Sequence, residues 1–98
     1  MEGGTDVARR LVTIVNTYGL HMRPSTKFVK LASGFRSEIS VYHEGKKADG
    51  KSMLEMTMLA AEKGAILELE ARGPDAERAL DALAELVAAG FHMEDEGA

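Results

Sequence analysis

Residues 65–87 read Ala65-Ile66-Leu67-Glu68-Leu69-Glu70-Ala71-Arg72-Gly73-Pro74-Asp75-Ala76-Glu77-Arg78-Ala79-Leu80-Asp81-Ala82-Leu83-Ala84-Glu85-Leu86-Val87. Two periods meet in this stretch. From Ala65 to Ala71, Leu67, Leu69 and Ala71 alternate with Glu68 and Glu70, the pattern of a strand with one buried face. After Gly73-Pro74 the apolar residues recur as Ala76, Ala79, Leu80, Leu83, Leu86 and Val87, which is the stripe of an amphipathic helix. Asp75 and Glu77 lie in its first turn, where the helix dipole favours acids, and Gly90 marks its end. A half-buried strand that feeds an amphipathic helix implies a sheet covered by helices on one face.

The same two periods recur upstream. Residues 9–16 are rich in β-branched side chains and read as a strand. A loop with Gly19 follows, and a helix begins near Met22, since Pro24 is tolerated in a first helical turn. Phe28, Val29, Leu31, Ala32 and Phe35 give that helix its apolar face, with Gly34 as a stop. Residues 37–43 place Ile39 and Val41 on one side of a second strand. Glu44-Gly45 reads as a hairpin turn into a short charged edge strand at 46–49. Ser52-Met53-Leu54-Glu55 matches a capping box, which predicts a helix to about Glu62 closed by Gly64. The order is βαββαβα. The fold class expected is α+β, an open-faced sandwich with a four-stranded antiparallel sheet and three helices on one face. Residues 1–7 and 94–98 read as flexible ends of a single domain covering 1–98.

Composition narrows the function classes. A chain of 98 residues, 45% hydrophobic, holds one small core and leaves little room for a deep pocket. It has no cysteine, which removes disulfide, zinc–thiolate and thiol chemistry. No metal site and no cofactor cradle stand out. No apolar run has the length of a membrane span, so a soluble cytoplasmic protein is expected, with no membrane role. The net charge of −4 argues against nucleic acid. Its distribution is uneven: residues 1–50 carry 8 Lys or Arg against 5 Asp or Glu, and residues 51–98 carry 4 against 11. The basic half is either an ordinary solvated face or a patch that meets an acidic partner.

The chemistry concentrates at Gly19-Leu20-His21-Met22-Arg23-Pro24. His21 falls where a loop becomes a helix, and backbone N–H groups and a positive dipole end project from such a start. Imidazole is a neutral nucleophile near pH 7. Arg23, two residues on, adds a planar cation suited to phosphate oxygens. Together they form a coherent site for phosphoryl transfer, a reaction that rests on positioning and charge stabilisation. His43 ends a strand and His92 lies near the C-terminus; neither is assigned a role.

From Arg10 to about Glu94 the chain resembles HPr, the histidine-containing phosphocarrier family of the bacterial phosphotransferase system. Gly19-Leu20-His21-Met22-Arg23-Pro24-Ser25 is similar to the family's Gly-Leu-His-Ala-Arg-Pro-Ala. Phe28-Val29-Lys30, Gly34-Phe35, residues 37–41, Gly50-Lys51-Ser52-Met53-Leu54, Lys63-Gly64 and Ala79-Leu80 continue the likeness. The resemblance implies a phosphocarrier rather than an enzyme, working without a cofactor. His21 would receive the phosphoryl group from phospho-enzyme I at Nδ1 and hand it to an enzyme II A domain for sugar uptake. Arg23 would hold the phosphoryl oxygens. Met22 and Ser25 depart from the family's usual Ala.

Ser52 is an N-cap by its position. The resemblance adds phosphorylation by a dedicated HPr kinase/phosphorylase, as in many Gram-positive relatives, where roughly two negative charges would stand beside a docking surface. Met53, Leu54, Met56, Met58 and Leu59 are too many apolar residues for one buried stripe on a short helix. Met22, Phe28, Met53 and Leu54 are therefore candidates for an exposed docking patch, with Lys27, Lys30 and Lys51 as its basic rim. A carrier that shows one small face to successive partners is expected to be a monomer. A nitrogen-branch carrier with regulatory partners, or a regulatory binding module acting through Ser52, are the alternatives.

Overall fold

The computed structural model describes residues 6–93. The chain runs β1 (Val7–Thr13), α1 (Met22–Ala32), β2 (Glu38–His43), β3 (Lys46–Asp49), α2 (Met53–Met58), β4 (Ile66–Arg72) and α3 (Ala76–Ala88), then a 3-10 turn at Gly90–His92. The four strands form one antiparallel sheet in the order β1-β4-β2-β3. This is the expected βαββαβα open-faced sandwich. Alternation decides which face is covered. Ala8, Ile39, Val41, Ala48, Leu67, Leu69 and Ala71 are buried beneath the helices. Arg9, Tyr42 and Glu70 share the opposite face, where Arg9 lies 2.7 Å from the Glu70 carboxylate and the Tyr42 hydroxyl donates to it at 3.4 Å.

Helix α3 buries every residue of its predicted stripe, with Leu80, Leu83 and Val87 wholly enclosed. Each such side chain is worth roughly 1.5–3 kcal/mol of transfer out of water. Glu44 (φ 49°) and Gly45 (φ 80°) make the two-residue turn between β2 and β3. Paired positive φ values match the twist of the flanking strands. Lys46 and Lys47 lie on the β3 edge, as the charge pattern predicts.

Several boundaries shift, each for a local reason. Residues 1–5 and 94–98, expected to be flexible, lie outside the described residues, but Val7 is the first residue of β1 rather than part of a lead-in. At its other end β1 stops at Thr13, because Asn16 turns inward to hold the following loop. Helix α2 ends at Met58 and not near Glu62, since Ala60 adopts φ 53°. The chain is then drawn across to the first loop, where Leu20 N–H donates to Ala61 O at 2.8 Å and Gly64 N–H donates to Ile14 O at 2.7 Å. The capping box at α2 is only half made. Ser52 Oγ accepts from Glu55 N–H at 3.2 Å, but the Glu55 carboxylate accepts from Asp49 N–H at 2.8 Å instead of returning to Ser52. Beyond α3, Phe91 turns back at φ 58° and is wholly buried.

Candidate functional site

His21 is the N-cap of α1, extended at φ −80° and ψ −173°, with its side chain making no cap bond. The helix closes on its carbonyl, through Ser25 N–H at 2.9 Å. Pro24 has no N–H and is buried in the first turn, where its fixed φ suits a helix start. The amides of that turn project from the helix end, and no acidic residue occupies the turn. The result is an exposed imidazole at a helix start with an unfilled cap, an arrangement favourable to an anion. Arg23 is exposed one residue into the same turn.

The loop before His21 is held from below by backbone contacts. Gly19 takes φ 69°, and a Cβ there would stand 2.8 Å from Glu62 Cα and collide with Ala61 O. Only glycine allows this approach. The buried Asn16 amide donates to Gly19 O at 2.9 Å, and Gly19 N–H returns to Asn16 O at 3.3 Å. These bonds fix the path of the chain immediately before the imidazole. The Tyr18 ring meets the His21 ring nearly at right angles, at 77° with centroids 5.9 Å apart. An open depression of about 610 Å³ lies alongside, lined by Tyr18, His21, Met22, Thr57, Ala61 and Lys63 among others. Asn16 and Tyr18 escape sequence reasoning although their partners Gly19 and His21 lie only three residues on, because no motif marks a side chain that braces a loop; Gly19 is read as part of the motif, but its neighbour Ala61 lies 42 positions further on.

The predicted docking residues fare unequally. Met22 and Leu54 are about 70% exposed, and Met58 is nearly as open. Met53 is half-buried, and Met56 is wholly enclosed. Phe28 must be corrected. It is 0% exposed and packs in the core near Ile39 and Gly50, so it meets no partner. The basic rim is also altered. Lys27 donates to Phe91 O at 2.9 Å and Lys51 donates to Phe35 O at 2.8 Å. Both ammonium groups are thereby tied to the chain's own carbonyls, while Lys30 is exposed. Ser52 is partly accessible at the start of α2.

His43 and His92 stand apart from this arrangement. His43 ends β2 with its Nε2 3.7 Å from the Glu44 carboxylate, and His92 is exposed after α3. Another depression, of about 480 Å³, lies between Glu38, Ser40, Lys47, Asp49, Lys51 and Glu55. Its charges are mixed and it holds no histidine, so it offers no comparable chemistry. Among the described residues, no helix is long and apolar enough to cross a membrane, and no group of three or more His, Asp or Glu could hold a metal ion.

Residues 8–89 match the family model described as the PTS HPr component phosphorylation site. The chain is 42% identical over 83 residues to the phosphocarrier protein HPr of Cupriavidus necator, covering 85% of this chain and 93% of that one. It is 45% identical over 82 residues to the phosphocarrier protein NPr of Shewanella violacea, covering 84% and 90%. Among solved structures, HPr-C-His from Thermoanaerobacter tengcongensis superposes with a TM-score of 0.84 at 36% identity, over 87% of this chain and 96% of that one.

Proposed function

Because the chain belongs to the HPr family of phosphocarriers, we propose that it accepts a phosphoryl group from phospho-enzyme I on His21 and passes it to an enzyme II A domain. The observation that carries this reading is the exposed His21 imidazole at the start of α1, where the N-cap side chain makes no cap bond. A neutral ring nitrogen directs its lone pair at phosphorus, and an N–P bond forms as the donor's bond to phosphorus breaks. First-turn amides and the Arg23 guanidinium take up the charge of the phosphoryl oxygens. Each handover is one such exchange, so His21 is a covalent relay point between two partners. Met22, Met53 and Leu54 form the apolar part of the docking surface, with Lys30 at its edge.

The test is to incubate the protein with enzyme I and phosphoenolpyruvate. Wild type should gain an acid-labile, base-stable phosphate, and His21→Ala should gain none. If wild type stays unlabelled, or the variant labels equally, the carrier reading fails. The sugar branch is favoured by the 42% identity to an HPr. The nitrogen branch is favoured by the 45% identity to an NPr. Faster transfer from the enzyme I of one branch than of the other decides between them.

Ser52 is proposed as a second, regulatory phosphorylation site. Its hydroxyl already caps α2, so a phosphate there would suit the helix start while charging the docking surface next to Met53 and Leu54. An acid-stable phosphate formed with ATP and the kinase of the same organism is the expected result, and its absence with an active kinase would overturn this role.

A further inference from the structure

We propose that Tyr18 is a positioning residue for His21, its ring holding the imidazole in the orientation from which it accepts and releases the phosphoryl group. This rests on His21 being the acceptor. An exposed imidazole at a helix start is otherwise free to turn about two side-chain bonds. His21 makes no cap bond that would limit it. What does stand against it is the Tyr18 ring, perpendicular and 5.9 Å from centroid to centroid. That is the edge-to-face geometry preferred by aromatic pairs.

The tyrosine can act as a stop because its own backbone is immobilised. Tyr18 sits inside the turn closed by Gly19 N–H to Asn16 O, and that turn is anchored by the buried Asn16 amide and by the approach of Gly19 to Ala61. A ring mounted on a rigid turn restricts a neighbour on a mobile side chain. Tyr18 remains 54% exposed and lines the same depression as His21, so it borders the path by which a partner's reacting group arrives. Orientation of the attacking nitrogen sets how much of the encounter is productive.

The experiment uses Tyr18→Ala and Tyr18→Phe in the full chain, with phospho-enzyme I as donor. Single-turnover transfer at saturating donor should slow about 2- to 10-fold in Tyr18→Ala, the range an edge-to-face pair supplies. Tyr18→Phe, which keeps the ring, should restore it. In the unphosphorylated protein, the His21 ring-proton NMR signals should move in Tyr18→Ala and stay near wild type in Tyr18→Phe, since they report the neighbouring ring. Unchanged signals together with an unchanged saturating rate overturn the inference. A rise in KM alone also overturns it, because Tyr18 is then a partner contact. Failure of Tyr18→Phe to restore the rate does the same. If wild type is phosphorylated and Tyr18→Ala matches it, only this inference falls; if wild type accepts nothing on His21, the carrier reading falls first.

Discussion

Helix α1 begins at His21 with no side-chain cap, whereas α2 begins at Ser52, whose hydroxyl accepts from Glu55 N–H. A Ser, Thr, Asp or Asn cap is worth about 1 kcal/mol. The start of α1 forgoes that local stabilisation, and tertiary contacts replace it: Asn16 holds Gly19, Gly19 abuts Ala61, and Leu20 binds the Ala61 carbonyl. The open helix start is therefore held by its neighbours while its end stays available to an anion. The closed one is finished by its own sequence. The two sites proposed for phosphate follow this division. At α1 the ligand meets an unfilled cap; at α2 it would have to be added to a cap already in use.

The comparison is broken most sharply by making α1 resemble α2. His21→Ser installs a preferred N-cap and should abolish phosphoryl transfer from enzyme I. It should also raise stability by about 0.5–1 kcal/mol, as read by urea denaturation. A stability loss instead would show that the imidazole itself supports the helix start. Gly19→Ala tests the tertiary half of the argument. The left-handed φ and the collision with Ala61 O should together cost about 2–4 kcal/mol and displace the loop before His21. If denaturation midpoints match wild type, the close approach does not hold the site.

Ser52→Ala is the milder counterpart at α2. It should lower stability by about 1 kcal/mol while leaving transfer to His21 intact, because the cap there is structural in the unphosphorylated protein. A transfer defect of the same size as in His21→Ala would erase the distinction between the two starts.

The smallest effect belongs to the start of α3, where the acidic N-cap residue serves a third purpose. Asp75 makes no cap bond; its carboxylate accepts from the Ser37 hydroxyl at 2.6 Å, from Ser37 N–H at 2.9 Å and from Arg36 N–H at 2.8 Å. These bonds, the Ser37 hydroxyl foremost and then Arg36 N–H, lower its pKa from 3.8 to about 2. A carboxyl depressed in the folded state stabilises the fold above its ordinary value, and the contribution is lost as pH falls from about 4 towards 2. The stability advantage of wild type over Asp75→Asn, read from urea midpoints, should be full at pH 6 and shrink by pH 2.5. An advantage that is constant across this range would remove the ionised carboxylate from the account.

Much of the fold was legible because it rests on local pattern. The alternation of Leu67, Leu69 and Ala71, the stripe from Ala76 to Val87 and the Glu44-Gly45 turn each carry their own period or dihedral demand, and each formed where it was read. His21 and Arg23 were legible for a related reason, since Pro24 marks a helix start and a short motif carries the family resemblance. Phe28 is buried where the sequence suggests a docking residue, and the ammonium groups of Lys27 and Lys51 bond to the chain's own carbonyls. Sequence spacing says that a residue lies on a helix or at its end, but not which neighbour's carbonyl or core cavity takes up its side chain.

By itself, then, the sequence determined the order of elements, the buried face of each, and the histidine placed at a helix start. Those follow from hydrophobic period, capping chemistry and the restrictions of proline, all of which act within a few residues. Only the tertiary structure decided that α2 stops at Met58, that Asp75 is spent on Ser37 rather than on its own helix, and that the His21 loop hangs from Ala61 with Tyr18 against the imidazole. The first three depend on contacts between segments distant along the chain, and the Tyr18–His21 pair, though only three residues apart, depends on the turn those contacts hold; no local propensity encodes them.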